Sequence, residues 1–300
     1  MHEAAAFGLR WRSDLALEHF AGIDPTEMPA DVLVRKALAP PKPRDFIVAR
    51  DGSALCRDGV RLSRSGAAVL DMFEGQLVEW WPGQNWEGRL PDYFYKSLAA
   101  IIVAWRGALP IHGSAVNIDG KAVLICGASG AGKSTLTAGL INRGARLISD
   151  DLSVLWKSTT NHGVIVYSGG ALLRLHPEIA NMLAVRPFVV AGRCERSGKV
   201  VVRSTQRSNL GEIPLAAVVL LDTDAPMDTS ASRSALLAAQ TFRPRWVHSL
   251  PCRTARAALV DVLTALPVIA IPGPRIVDRR SLDKAVSAML NQLEAVGCRF

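Results

Sequence analysis

The 300-residue chain has no apolar run close to the ~20 residues that a membrane-spanning helix needs. Its longest, Leu98 to Trp105, stops at Arg106. The opening stretch carries Glu3, Arg10, Arg12 and Asp14 where a secretory signal needs an apolar core, so secretion is not expected. Cysteines are few: Cys56, Cys126, Cys194, Cys252 and Cys298 are odd in number, scattered and without a C-x-x-C pair. That excludes a common zinc site and fits a reducing cytoplasm. A charged fraction of 21% against 49% hydrophobic residues excludes wholesale disorder. A chain of this length buries roughly three quarters of its unfolded surface and needs no staples. A cytoplasmic protein with no membrane partner is the expectation.

The net charge of +8 is unevenly spread. By segment it is −1 over residues 1–110, +3 over 111–189 and +6 over 190–300. The basic last third includes Arg193, Arg196, Lys199, Arg203 and Arg207. Such a face suits nucleotide phosphates or an acidic or carboxylate-ended peptide. No aromatic-plus-basic RNA motif or helix-turn-helix signature accompanies it, so no nucleic-acid partner is expected.

Along the chain, residues 1–43 show no clear period and end in the breaker Ala39-Pro40-Pro41-Lys42-Pro43. Strand-like runs follow, with turns at Asp51-Gly52 and Asp58-Gly59. Ala67, Val69, Leu70 and Phe73 predict a helix over Ser65–Phe73, closed by Gly75. Trp80, Trp81 and Trp86 cluster in an expected loop or edge. Residues 1–88 thus read as a small α+β module. A helix then opens at Pro91 and ends at Gly107, its apolar stripe formed by Phe94, Leu98, Ile101, Ile102 and Trp105. Strands are expected at Pro110–Ile118, Lys121–Cys126, Arg146–Ser149, Ser153–Trp156, Val164–Tyr167, Lys199–Val202, Leu215–Leu221 and Val268–Ile271. Helices are expected at Ser230–Gln240, Thr254–Leu266 and Ser281–Val296.

The strongest motif is Gly127-Ala128-Ser129-Gly130-Ala131-Gly132-Lys133-Ser134, a full G-x-x-x-x-G-K-S between an apolar strand and a helix that starts at Thr135. Its glycines let successive N–H groups point at phosphate oxygens, and the new helix adds its positive end. Lys133 would reach the β- and γ-phosphates and Ser134 would hold Mg²⁺. The motif therefore predicts a nucleoside triphosphate. A two-residue turn at Asp119-Gly120 would pair residues that sum to 239, which brings His112 opposite Gly127. The Arg146–Ser149 strand, laid parallel to the loop's own strand by a right-handed crossover, would deliver Asp150-Asp151 to the phosphate edge. Those carboxylates could hold Mg²⁺, accept a proton from an attacking hydroxyl, or cap a turn. Asp222, at the end of the apolar run Ala217–Leu221, is a second candidate for the metal side.

Taken together, His112-Gly113, Gly127–Ser134, Arg143-Gly144-Ala145-Arg146-Leu147 and Asp150-Asp151 resemble the catalytic domain of HPr kinase/phosphorylase, a family of P-loop serine kinases. The resemblance covers roughly residues 107–180. It implies an α/β fold, with an HPr-kinase-like P-loop domain (a mixed sheet with flanking helices) over 89–300 behind the small α+β module of 1–88. It implies ATP and Mg²⁺ as cofactors, bound along Gly127–Ser134 and Thr135. Asp150 would be the base for an acceptor serine, Asp151 would support the metal or its waters, and His112 would meet the γ-phosphate side. It also allows a homo-oligomer. Thr135 stands where the family has Glu, and a glycine-rich E-I-R-G-L-G signature is missing. The nearest counterpart, Gly169–Glu178, is similar to the stretch in HPr-kinase-like tailoring kinases of lasso-peptide clusters, which phosphorylate a precursor peptide, typically on its C-terminal serine. The acceptor implied is a serine on a peptide or small protein. HPr itself is the alternative acceptor, and an ATPase or nucleotide switch without an acceptor, with Asp222 on the metal, is the alternative activity.

Overall fold

A computed structural model describes residues 1–298 apart from 25–27, 43, 51–52, 65, 91, 161–162, 184–186, 195–196, 224–226 and 228. Pro43, the Asp51-Gly52 turn, Ser65, Pro91, Arg196 and the side chain of Phe94 lie outside the described residues.

The first third of the chain is a nine-stranded sheet. It comprises β1 (His2–Ala6), β2 (Leu9–Ser13), β3 (Ala21–Gly22), β4 (Val32–Lys36), β5 (Phe46–Arg50), β6 (Ser53–Cys56), β7 (Gly59–Arg64), β8 (Ala68–Phe73) and β9 (Leu77–Pro82), in the order β3-β1-β2-β4-β9-β8-β7-β6-β5. Two expectations are corrected here. Within the helix expected over Ser65–Phe73, the residues Ala68–Phe73 form strand β8. Its buried apolar residues Ala68, Leu70 and Met72 recur every second position, the strand period, and this overrides the helical spacing of Ala67, Leu70 and Phe73. Glu74 and Gly75 both have positive φ and turn the chain back into β9 instead of ending a helix. Likewise Trp80 and Trp81 are not in a loop: β9 lies between β4 and β8, Trp80 is buried, and Trp86 stacks on it at 4.9 Å. Trp80 and Trp86 thus belong to the core packing, whereas half-buried Trp81 faces the other side of β9. Residues 1–43 hide four short strands because β1 and β2 pair across a tight turn at Phe7-Gly8.

Helix α1 (Asp92–Trp105) covers this sheet. Leu98, Ile101 and Ile102 share one apolar core with Trp11, Val32, Leu70 and Val78. That core runs on to Leu152, Val154, Val247 and Leu250, so it crosses the boundary expected near residue 88.

The second sheet is mixed, as expected. It contains β10 (Leu109–Ile111), β11 (Gly113–Ile118), β12 (Lys121–Gly127), β13 (Arg146–Ser149), β14 (Ser153–Lys157) and β15 (Val164–Val166). A small sheet of β16 (Leu172–Leu175), β17 (Phe188–Arg193) and β18 (Val200–Ser204) follows, before β19 (Ile213–Leu221) and β20 (Val268–Ile271) return to the second one. Its helices are α2 (Lys133–Asn142), α3 (Pro177–Met182), α4 (Ser230–Ala239), α5 (Pro244–Val247), α6 (Arg253–Thr264) and α7 (Arg279–Ala295). Period-two burial sorts the two faces. Val123, Ile125, Val219 and Leu221 pack with α2 and α7, while Leu124, Cys126, Val218 and Leu220 pack with α4 and α6.

The expected β11–β12 register holds at every pair, Gly113 with Cys126 through Ile118 with Lys121. Asp119 and Gly120 both take positive φ, as a two-residue hairpin turn requires. Strand β13 runs parallel to β12 but is not its neighbour: β11 lies between and is antiparallel to both. The parallel neighbour of β12 is β19, and Asp222 follows directly on its last residue, Leu221.

Arg256 ties the layers together. Buried on α6, it donates to the carbonyls of Val247 at 2.7 Å and Leu250 at 2.9 Å, and also to those of Ala104 and Pro251. Removing it takes the guanidinium from four carbonyls, of which those of Val247 and Ala104 keep a backbone N–H partner. Arg256→Met is expected to cost about 3–5 kcal/mol. Thermal melting followed by circular dichroism should show a fall of roughly 10 °C. An unchanged melting temperature would contradict this role.

Candidate active site

The phosphate loop connects β12 to α2 at the sheet's carboxyl edge. Gly127, Gly130 and Gly132 have φ of 145°, 90° and 95°, a region closed to most side chains. At Gly127 a Cβ would also lie 2.8 Å from the Leu221 carbonyl. Helix α2 starts after Gly132 with no side-chain cap, so its first-turn N–H groups keep their donors for a ligand. Lys133 folds back over the loop and donates to the carbonyls of Gly127 at 2.7 Å and Ala128 at 2.9 Å. Burial pushes the pKa of its ammonium down, while nearby acidic groups oppose the shift.

The two carboxylates at the end of β13 face different partners. Asp150 is buried at 9% exposure. Its Oδ1 accepts from Ser114 at 2.7 Å and from Ser134 at 2.8 Å, and its Oδ2 accepts from the Arg174 N–H at 3.0 Å. Asp151 sits in left-handed backbone with φ 70°. Its Oδ1 accepts from His112 Nε2 at 3.0 Å, and its Oδ2 is ion-paired with Lys96. Burial pushes the Asp151 carboxyl up, but the His112 hydrogen bond and the Lys96 charge outweigh it and hold the pKa far below the usual carboxylate range. A carboxylate so held is ionised, so the imidazole donates through Nε2 and keeps Nδ1 as an acceptor when neutral.

These residues converge on one pocket, lined by Ser129, Gly130, Gly132, Lys133, Ser134 and Thr135 from the loop together with His112 and Asp151. Arg174, His176 and Lys199 complete its wall. The structure thus brings His112, the loop and the Asp150-Asp151 pair together, as the spacing predicted. Of the expected basic candidates, Lys199 reaches the pocket, whereas Arg193 and Arg203 are exposed on the small sheet. Asp222 lines a second cavity, which includes Gly127 and Ala128 of the loop and shares His112 with the first pocket, and its Oδ1 accepts from the Gly273 N–H at 3.3 Å.

Sequence reasoning missed three supports. Ser114 holds Asp150. Gln240 grips both the hairpin and the loop, its carbonyl accepting from the His112 N–H at 2.7 Å and its Oε1 from the Gly127 N–H at 3.2 Å. Lys96 is the third, and it carried a signal: a single cation just ahead of the apolar run Leu98–Ala104 of α1. Ser114 and Gln240 carry no such signal, since both act through tertiary placement.

Two cis oxygens around an octahedral Mg²⁺, each about 2.0–2.1 Å from the ion, lie about 2.9 Å apart. Ser134 Oγ and Asp150 Oδ1, at 2.8 Å, have that separation. This pair suits Mg²⁺, which takes one or two protein oxygens and completes its shell with phosphate and water.

Residues 107–186 match the family model "HPr Serine kinase C-terminal domain". Among curated proteins, the HPr kinase/phosphorylase of Lactobacillus acidophilus is 44% identical over 69 residues, 23% of this chain and 21% of its own length. That of Geobacillus sp. is 31% identical over 122 residues, 41% of this chain and 34% of its own. The match spans a fifth to a third of the length of these relatives. The solved Hpr(Ser) kinase/phosphatase structure from Coxiella burnetii is 22% identical, covers 40% of this chain and 70% of its own, and has a TM-score of 0.26. The resemblance to the HPr kinase family therefore holds over the segment that carries His112, the phosphate loop, Asp150-Asp151, Arg174 and His176. Lys96, Lys199 and Gln240 lie outside the residues that the family model matches.

Proposed function

We propose that this protein is an ATP-dependent serine kinase that transfers the γ-phosphoryl group of ATP to a serine hydroxyl of a peptide or small protein. The observation that carries this reading is the meeting of an uncapped phosphate loop with Ser134–Asp150 on one side and His112–Asp151 on the other. The triphosphate lies along Gly127–Thr135 under Lys133, Arg174 and Lys199. These cations neutralise charge on a transferring group whose loose transition state needs chiefly positioning and electrostatics. Bound Mg²⁺ would add to that neutralisation.

The residue roles are part of the proposal. From the family resemblance, Asp150 is the base and Asp151 belongs to the metal. The distances favour the opposite division. Asp150 shares its Oδ1 with Ser134, a metal-side arrangement. Asp151 orients the His112 ring toward the acceptor side, where the imidazole can receive the hydroxyl proton. Ser134→Ala separates the metal from the rest of the site. It should raise the Mg²⁺ concentration for half-maximal turnover at least tenfold while ATP binding without metal stays within threefold. An unchanged Mg²⁺ requirement in steady-state ATP turnover would remove Ser134 from the metal.

The finer reading is a ribosomal peptide precursor of the lasso type, phosphorylated on its C-terminal serine. It rests on the resemblance of Gly169–Glu178, which supplies Arg174 and His176 to the pocket. The relatives named HPr kinase/phosphorylase make HPr the second acceptor to try. Function in the cytoplasm and as a homo-oligomer belongs to the same proposal.

A further inference from the structure

Lys96 stands apart from the other cations of the site. It comes from α1, outside residues 107–186, and belongs to the helix that covers the first sheet. With Phe7, Phe20, Tyr95, Asp150 and Arg174 it lines a small aromatic-walled cavity, and it is not among the residues lining the phosphate pocket. Asp151 does line that pocket. A bare carboxylate there would face the several negative charges of a triphosphate at short range, where buried charges are poorly screened. Among the described residues, the His112 imidazole bonds Oδ1 and the Lys96 ammonium pairs with Oδ2, while the Lys133 charge also acts on Asp151 from within the pocket. The Lys96 ammonium is largely buried; burial pushes its pKa down, and the Asp151 charge opposes that shift. The same two contacts anchor a non-glycine residue in left-handed backbone, where side chains are uncommon unless their surroundings hold them.

On this basis we infer that Lys96 is a positioning residue of the phosphate site. It cancels the charge of Asp151, so that the carboxylate can orient His112 without repelling the nucleotide. The inference rests on the nucleotide reading above and deepens it. The phosphate site is then completed by the helix that packs on the first sheet, and a fragment restricted to residues 107–186 lacks one of its charges.

The test is binding of ATP in EDTA, followed by calorimetry, so it needs neither Mg²⁺ nor an acceptor. Lys96→Met should weaken metal-free ATP at least tenfold, and Lys96→Arg should stay within threefold of the parent. Asp151→Asn, one negative charge fewer, should tighten binding. The double variant Lys96→Met/Asp151→Asn should recover to within threefold of the parent. Melting curves of all four variants show whether each is folded; the double variant buries no unpaired ion, so it keeps the test open if Lys96→Met unfolds. Parent-like binding by Lys96→Met would overturn the inference. So would a double variant that is folded yet as weak as Lys96→Met, because Lys96 would then act through something other than the charge of Asp151. A parent protein that binds no ATP would defeat the nucleotide reading itself and the inference with it.

Discussion

Lys133→Ala is expected to abolish phosphoryl transfer, with a loss of at least a thousandfold in turnover. The Lys133 ammonium is held over the loop by two loop carbonyls, 2.7 and 2.9 Å away, at the end of the site where β- and γ-phosphates are placed by the motif. A point charge in a water-poor pocket contributes far more to a developing phosphoryl charge than it would in water. Alanine removes the charge and leaves both carbonyls facing the phosphates. The glycine conformations and the free N–H groups of α2 remain, so nucleotide affinity should fall less than turnover does. Turnover follows from a coupled ATP-consumption assay and affinity from calorimetry. A variant that turns over within tenfold of the parent would show that the loop is not the phosphoryl-transfer site.

Asp150→Asn carries the second-largest effect: a loss of at least a hundredfold in turnover, with ATP affinity in EDTA within threefold. The carboxylate accepts three donors, from Ser114, Ser134 and the Arg174 N–H. An amide can accept through one oxygen only and presents an NH₂ group to the others. It also withdraws the negative charge that Mg²⁺ would meet beside Ser134. The two divisions of labour separate here. If Asp150 serves the metal, raising Mg²⁺ should recover part of the lost turnover. If Asp150 is the base, added Mg²⁺ recovers nothing. Parent-like turnover would remove Asp150 from both roles.

Much of this site is legible in the sequence, for specific reasons. The loop is written in contiguous residues, and its glycines are demanded by φ. The two-residue turn fixed the hairpin pairs as far as Gly113 with Cys126; His112, one residue beyond, lies between β10 and β11 with its N–H on the Gln240 carbonyl. Asp150-Asp151 followed from chain direction: β13 does end at the phosphate edge, although β11 was not expected between it and β12. What stayed hidden depends on contacts between distant segments. The division of the two aspartates is set by which side chains happen to face them, Ser114 and Ser134 for one, His112 and Lys96 for the other. Neighbouring residues in sequence give no hint of that. In the first third, β8 read as a helix because apolar residues at 67, 70 and 73 satisfy the helical period as well as the strand period satisfies 68, 70 and 72. Sheet pairing with β7 and β9 decides between them, and pairing is not a local property.

The most direct measurement of the central claim is intact mass after incubation with Mg²⁺-ATP and serine-bearing peptides encoded beside the gene, with HPr as a parallel acceptor. The account predicts a single phosphate increment on one acceptor, mapped to a serine and absent with Lys133→Ala. An increment confined to HPr would keep the kinase and replace the peptide. ATP consumed with no increment on any acceptor would contradict the account and turn attention to Asp222 and an ATPase.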